Sequence, residues 1–221
     1  MMKIRNIAFA ITISAGGAAI WILIGLWRPV SSDLRNFDPE TVARLDTEMW
    51  RSYYDKERLK LFNQLAHLLR QQYHMPVARS YVVAFHAARA AFVFKDGKRH
   101  TDYERALPDL VAYYQAIRNV SQTSFDVNRA ATLELEWWIV HRERQWRPTG
   151  DLDRALADLA AEVYQLPAAK FSEHARYRAE AITIRDDLAE KRTLSEADWT
   201  RINDLLRRSW LSLWRGVNDT E

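Results

Sequence analysis

The run of 21 uncharged residues from Ile7 to Trp27 constrains this chain more than any other feature of its sequence. At ~1.5 Å per residue, a helix of that length just spans a hydrocarbon core of ~30 Å. Trp21 and Trp27 lie toward the distal end of the run, where indole rings favour the membrane interface, and the charged Arg28 follows. We therefore expect residues 1–30 to form an N-terminal transmembrane anchor.

A cleaved signal peptide is the alternative prediction for the same segment. Lys3 and Arg5 would form its charged region, residues 7–13 its apolar region and residues 14–19 its cleavage zone of small residues. Cleavage there would leave Ile-Trp-Ile-Leu-Ile-Gly-Leu-Trp exposed at the start of a soluble protein. That terminus is unfavourable in water, so the sequence favours an uncleaved signal anchor.

The charges that flank the anchor predict its orientation. Lys3, Arg5 and the amino terminus precede the apolar run, whereas Arg28 and a stretch of mixed charge follow it. By the positive-inside rule the N-terminus lies in the cytoplasm and the rest of the chain lies outside, in the periplasm if the source is a bacterium. The chain has no cysteine, which excludes disulfides and thiolate metal sites.

The net charge of +3 comes entirely from the anchor, which contains three of the 32 basic residues. The remaining 29 basic residues are balanced by 29 acidic residues, all of which follow Ser32. A nucleic-acid-binding domain needs a basic excess that neutralises phosphates. We therefore expect no nucleic-acid partner. The anchor makes the membrane one partner, and we expect the other to be a membrane or extracytoplasmic protein.

The segments after the anchor predict an all-α fold. Residues 31–37 form a short polar linker, and residues 38–221 form a multi-helix bundle. No stretch alternates convincingly between apolar and polar residues, and β-branched residues are few. Asp38-Pro39 predicts the start of a first helix that can run to about Tyr73. Ser195 and Asp198 form a capping box that predicts the start of the last helix.

The two halves of the domain, residues 40–120 and 128–215, resemble each other weakly. The resemblance suggests two duplicated three-helix units. The offsets between matching residues drift, so the alignment needs gaps, and chance agreement among helical sequences is the alternative. The matching pairs are Asp46 with Glu134, Glu48 with Glu136, Trp50 with Trp138, Tyr73 with Tyr164, His86 with His174, and Tyr114 with Trp210.

Two duplicated glutamates are the first candidate site. Glu48 and Glu136 lie at or beside an apolar stripe of their helices, and each precedes a tryptophan by two positions. A buried carboxylate must be paired, coordinated or protonated, because its desolvation costs free energy. We predict that both glutamates belong to a structural polar core, with Arg89 and Arg178 as their partners.

A metal centre is the alternative for the same region. Two glutamates and two histidines on four helices resemble the ligand set of ferritin-like di-iron proteins, but no histidine here follows a glutamate by three positions, as that class requires. The sequence therefore supports no membership of it. The candidate metal ligands are Glu48, His86, Glu136, His141 and His174.

The remaining motifs favour binding over catalysis. The sequence contains no phosphate-binding glycine loop, no Gly-x-Ser-x-Gly and no His-Glu-x-x-His. We expect a membrane-anchored, extracytoplasmic helical domain that serves as an interaction, accessory or scaffold subunit, without catalysis and without a cofactor. The alternative function is a redox protein that binds a transition-metal pair through carboxylates and histidines inside the bundle.

Overall fold

The computed structural model describes Gly25 and residues 29–219. The predicted transmembrane run, Ile7 to Trp27, lies outside the described residues except for Gly25. The described part of the chain is all-α, which confirms the predicted fold class. It forms no strand, and its one isolated β-bridge joins Ser32 to Ser121.

We number the α-helices of the described residues α1 to α9 in chain order. They span Pro39–Tyr54 (α1), Arg58–Tyr73 (α2), Val77–Asp96 (α3), His100–Tyr103 (α4), Leu107–Val120 (α5), Val127–Arg142 (α6), Asp151–Tyr164 (α7), Ser172–Ala189 (α8) and Glu196–Asn218 (α9). Short 3-10 helices at Glu104–Ala106, Arg144–Trp146 and Ala168–Phe171 precede α5, α7 and α8.

The long helices form a closed ring. Each packs mainly against the long helix before it and the long helix after it, and α9 packs against α1. The short connections between neighbours require antiparallel packing. The hydrophobic core follows the inner faces of the ring, and its largest fully buried side chains include Leu34, Leu69, Ile117, Phe125, Phe171 and Leu206.

Several helix starts lie where the sequence predicts them. The Asp38 carboxylate accepts hydrogen bonds from the backbone N–H groups of Glu40 and Thr41 and caps α1. At the start of α9, the Ser195 hydroxyl accepts from the Asp198 N–H while the Asp198 carboxylate accepts from the Ser195 N–H. These side chains satisfy backbone donors that the first turn of a helix leaves without partners.

The prediction of one continuous helix to Tyr73 is wrong. The chain turns back after Tyr54, and Lys56 adopts a left-handed conformation with φ of 60°. The Glu57 N–H donates to the carbonyl oxygen of Ser52 at 2.9 Å and closes the turn. The apolar spacing continues through this turn because both α1 and α2 place an apolar stripe on the inner side of the ring.

Residues 31–37, the segment predicted as a short polar linker, pack against the folded body. The Ser32 N–H donates to the carbonyl oxygen of Val120 at 2.7 Å, and the Gln122 N–H donates to that of Ser32 at 3.0 Å. Leu34 and Phe37 are buried in the core. The segment that follows the predicted anchor is therefore held by two backbone hydrogen bonds and two buried side chains.

One described helix, α3, is long and apolar enough to cross a bilayer by length and composition alone, with a mean hydropathy of 1.2. Core helices of soluble domains can have the same composition, but only 22% of this helix is buried inside the molecule. Its outer surface is therefore unusually apolar for a helix that faces solvent.

Candidate functional site

The most deeply buried ion pair lies where α1, α8 and α9 meet. Asp46 on α1 is 1% exposed, and its Oδ2 accepts hydrogen bonds from Arg178 Nη1 at 2.7 Å and from Trp210 Nε1 at 2.8 Å. The Arg178 guanidinium also lies over the Trp50 and Trp210 rings, at 5.6 and 5.8 Å from their centroids. Closure of the ring brings these groups together, since they lie at opposite ends of the sequence.

The Asp46 carboxylate stabilises the positive charge of Arg178. Burial acts to lower the pKa of Arg178, but the Asp46 carboxylate outweighs that effect and holds the pKa above its usual value. Asp46 Oδ1 is buried without a hydrogen-bond partner in the described residues. Within the described part of the chain, the Asp46 carboxylate thus depends on the donors at Oδ2, of which Arg178 is the cationic one.

His174 borders the same pair as a neutral side chain. Its Nδ1–H donates to the carbonyl oxygen of Ser209 at 3.0 Å, and its ring contacts Trp210 edge-on. Burial, helped by the nearby Arg178 charge, lowers the pKa of His174 to about 4. A neutral, fully packed imidazole of this kind stabilises helix packing between α8 and α9.

A second carboxyl group, Glu134 on α6, lies on the inner side of the ring. Its Oε2 accepts from the Tyr114 hydroxyl at 2.7 Å, and its Oε1 accepts from Trp138 Nε1 at 2.9 Å. Burial raises the pKa of Glu134 above its usual value, although these hydrogen bonds act in the opposite direction. Burial also raises the pKa values of the neighbouring Tyr73 and Tyr113. Neutral donors thus bind this carboxyl group, while the positive charge of Arg178 acts to lower its pKa.

Two further aspartates hold histidine and arginine side chains nearer the surface. Asp109 on α5 accepts from His86 Nδ1 at 2.8 Å and from Arg89 Nε at 2.5 Å. Burial would raise the pKa of Asp109, but these two hydrogen bonds outweigh it and the pKa lies below its usual value.

The corresponding cluster on α8 is built around Asp186. Its carboxylate accepts from His141 Nε2 at 2.8 Å and from Arg185 Nη1 at 2.8 Å, and Arg144 lies at 3.3 Å. Burial again opposes ionisation, but the His141 and Arg185 hydrogen bonds outweigh it, so the pKa of Asp186 is lowered. Each of these clusters ties two segments of the ring together.

The prediction that Glu48 and Glu136 are buried is wrong. Glu48 is 43% exposed at its side chain and pairs with Arg44 one turn earlier on the same helix, at 2.7 Å. Glu136 is exposed. The predicted partners also differ, because Arg89 binds Asp109 and Arg178 binds Asp46. The buried acid on α1 is Asp46 and the partly buried acid on α6 is Glu134, each two positions before the predicted glutamate.

The five predicted metal ligands lie in separate places. Glu48 pairs with Arg44, His86 with Asp109, His141 with Asp186, and His174 with Ser209, while Glu136 is exposed. In Gly25 and residues 29–219, no three histidine or carboxylate side chains converge on a point that could hold a metal ion. The described geometry therefore gives the metal hypothesis no ligand set.

Helical spacing from neighbouring apolar residues could have identified Asp46 and Glu134. Asp46 follows the buried Val42 by four positions and Glu134 follows the buried Ala130 by four, so both lie on apolar stripes. The alignment of the two halves already matches them. The sequence spacing does not single out Asp109 or Asp186, because His86 and Arg89 reach Asp109 from another helix and His141 reaches Asp186 from another helix.

A groove of about 430 Å³ lies between α6 and the end of α7. Polar side chains line it, among them Arg129, Asp158, Glu162 and Gln165. Glu162 already accepts hydrogen bonds from the Asp126 N–H and from Gln165 Nε2. The groove thus presents a polar surface whose Glu162 side chain is held by neighbouring protein groups.

These features define an all-helical ring whose buried acids are held by donors from neighbouring helices. Comparisons with known proteins identify no relative of the chain: it matches no family model, no curated protein and no solved structure.

Proposed function

We propose that this chain is a membrane-anchored, extracytoplasmic accessory or scaffold domain, which works by binding another membrane or extracytoplasmic protein and not by catalysis. The membrane and orientation parts of the proposal come from the uncharged run Ile7 to Trp27 and the basic residues that precede it.

The observation that best supports a binding role is that the acids inside the ring are already bound by neighbouring side chains. Asp46, Asp109 and Asp186 each bind an arginine, and Glu134 binds a tyrosine and a tryptophan. Each link joins one helix to another or fixes a side chain within its own helix. Groups that hold the scaffold together in this way cannot turn toward a substrate without breaking it, so recognition by the outer surfaces is the function that this geometry favours.

The contacts of residues 31–37 support a scaffold held at a defined position. Ser32 is hydrogen-bonded to the end of α5, and Leu34 is fully buried. An anchor joined to such a segment would transmit its position directly to the domain, whereas a flexible linker would let the domain rotate freely.

We also propose that the ring arose by duplication, with α1, α2, α3 and α5 matching α6, α7, α8 and α9. Each unit then holds four long helices instead of the predicted three, because α1 and α2 are separate. Two geometric matches support the proposal. His74 and Gln165 end α2 and α7 with φ values of 52° and 53°. Tyr114 donates to Glu134, and Trp210 donates to Asp46.

The location is tested with full-length chain in its native membranes. Because the chain has no cysteine, Trp146, which is 80% exposed, can be changed to cysteine without a background signal. We expect a membrane-impermeant maleimide to label Trp146→Cys in intact cells, and the chain to resist extraction with alkaline carbonate. Labelling only after the cells are broken, or release by carbonate, would contradict the proposed location or the anchor.

The binding role is tested by photocrosslinking from exposed positions around the ring. Photoreactive residues at Leu59, Trp146 and Trp214 sample three sides of the molecule. We expect a discrete heavier product from one side and not from the others. Monomer alone at every position would count against a protein partner.

Metal content separates the proposal from its alternative. The full-length chain, purified without chelator and without a histidine tag, is expected to contain no stoichiometric transition metal. One metal ion or more per chain would favour the redox alternative over the scaffold.

A further inference from the structure

A helix packed on a core normally buries its large apolar side chains and exposes its polar ones. The helix α3 does not follow this pattern. Its fully buried positions hold small side chains, and its exposed positions hold large apolar ones. Phe85 is 52% exposed and Phe92 is 42% exposed. The buried side chains are those of Ser80, Val83, Ala84 and Ala90, and the exposed apolar ones are those of Val77, Val82, Phe85 and Phe92.

The exposed apolar side chains of the whole molecule concentrate on the same hairpin. Eight large hydrophobic side chains of the described residues are exposed, and five of them belong to α2 and α3. Leu59, at 83%, is the most exposed of these and lies beside Arg58, whose guanidinium covers the Phe92 ring at 5.7 Å. Large exposed apolar patches mark surfaces that contact another phase or another molecule.

The charge of this hairpin differs from that of the rest of the domain. Between Arg58 and Lys95 there are six basic residues and no acidic residue. The remainder of the domain after Ser32 has 23 basic and 29 acidic residues. Lys60 and Arg89 bind the neighbouring Glu57 and Asp109, while Arg58 and Arg70 lie over aromatic rings of α3.

Gly25, the one described residue of the apolar N-terminal run, lies beside this hairpin. Gly25 lies against Ala78, at the start of α3, so that a Cβ built at Gly25 would be 3.4 Å from the Ala78 Cβ. Ser32 donates a hydrogen bond to the carbonyl oxygen of Tyr73, at the end of α2. If residues 1–30 are in the membrane, the turn between α2 and α3 lies next to it.

We infer that the outer face of the α2–α3 hairpin rests on the surface of a bilayer that contains anionic phospholipids. Aromatic and aliphatic side chains of α3 enter the interface, and the arginines beside them bind lipid phosphates. This is the composition of helices that lie in the membrane plane, with large apolar side chains on one face and basic ones along its edge. The inference rests on the proposed anchor, which brings the hairpin to the surface, and it fixes which side of the domain is left for a protein partner.

The test uses the full-length chain in vesicles of phosphatidylcholine with a minor fraction of phosphatidylglycerol. An environment-sensitive fluorophore is attached to Phe85→Cys or Phe92→Cys, and to Trp214→Cys on α9 as a matched exposed apolar control. We expect a nitroxide on the lipid chains to quench the fluorophore at residues 85 and 92, and aqueous iodide to quench it at residue 214. Thermal unfolding of each labelled variant confirms that the domain is folded.

Charge reversal tests the part played by the arginines. Arg58→Glu and Arg70→Glu should each weaken the surface contact roughly fivefold or more in vesicles with phosphatidylglycerol, seen as less lipid quenching at residue 85. Arg215→Glu on α9 is the matched control and should leave that quenching unchanged.

The outcomes separate the inference from the anchor. Equal iodide quenching at residues 85, 92 and 214 would overturn the lipid contact, and so would protection of 85 and 92 from both quenchers, which would show that protein covers the face. If the chain still floats with the vesicles in those cases, the anchor stands. A full-length chain that does not float would overturn both.

Discussion

In the proposed alignment of the two halves, Asp46 on α1 matches Glu134 on α6, yet the protein stabilises these two carboxyl groups by different means. Asp46 binds the Arg178 guanidinium and the Trp210 indole. Glu134 accepts hydrogen bonds from neutral donors, among them the Tyr114 hydroxyl and the Trp138 indole, and burial raises its pKa.

The difference follows from one position in the proposed alignment. If His86 matches His174, then Arg178 matches Ala90, which is fully buried and carries no charge. A buried ion pair fixes the geometry of its helices but leaves a bare charge when either partner is lost. A carboxyl group among neutral donors can take up a proton instead. The comparison teaches that, in the proposed alignment, one position of the ring can hold either an acid paired with a cation or an acid bound by neutral donors.

Removal of the Asp46 side chain should have the largest effect on stability. In Asp46→Ala the Arg178 guanidinium stays buried without its carboxylate, and the free energy of unfolding should fall by about 3–5 kcal/mol. Chemical denaturation followed by circular dichroism measures the change. Glu48→Ala, which removes an exposed acid one half-turn away, should change stability by less than about 1 kcal/mol. Equal losses in both variants would show that the Asp46 pair contributes no more than a surface pair.

The double variant Asp46→Asn/Arg178→Met should be more stable than the sum of the two single changes implies. It removes both charges together, so neither is left buried alone. We expect an interaction energy of about 0.5–3 kcal/mol in a double-mutant cycle. Additive losses would mean that the two side chains act independently, despite the 2.7 Å between their polar atoms.

Near Asp46, His174 should make stability depend on acid pH. Its pKa is lowered from 6.5 to about 4 in the folded chain, so the unfolded chain binds the proton more tightly between these values. The stability contributed by neutral His174 should therefore be lost as the pH falls from 6.5 to 4, by an amount on the order of 3 kcal/mol. Denaturation of wild type and His174→Gln across this range measures it, and parallel pH profiles would contradict the assignment.

Near Glu134 the pH dependence should have the opposite sign. A raised pKa means that the folded chain binds this proton more tightly, so stability falls as the pH rises above the ordinary value of 4.5. Glu134→Gln should cost about 1 kcal/mol at low pH, because the hydrogen bonds are largely kept, and the cost should shrink as the pH rises. The exposed Glu136→Gln is the control and should show no such trend. If the cost of Glu134→Gln grew with pH, the folded protein would favour the ionised form of this carboxyl group. The contrast with Asp46 would then be wrong.

The sequence was sufficient for the fold class and for several helix starts, because these depend on local chemistry. Asp38 and Ser195 cap their helices through backbone groups within three residues. The break at Lys56 was missed because neither glycine nor proline marks it. A left-handed conformation at a lysine is stable only when the surrounding structure imposes it, and here the hairpin between α1 and α2 does so.

The sequence predicted the correct type of residue for the candidate site, an acid on α1 and another on α6, but placed each of them half a helical turn away. Buried acids on α1 and α6 were expected at Glu48 and Glu136, whereas the structure has the buried Asp46 on α1 and the partly buried Glu134 on α6. Helical spacing puts each candidate near an apolar stripe, so spacing alone cannot choose between them. The choice depends on Arg178 and Trp210, which lie 132 and 164 residues away from Asp46. Contacts between residues so far apart in the sequence depend on the packing of the ring.

Closure of the ring between α1 and α9 has a consequence for synthesis. The inner stripe of α1, including Asp46, meets its partners only when residues 196–218 have been made, so it stays uncovered while the intervening helices emerge. An open stack of helices could fold progressively from its first pair, whereas this arrangement couples the earliest helix to the latest one. The step that joins them must overcome the entropy of a loop of more than 100 residues. Late closure would give a folding factor a long interval in which to bind α1.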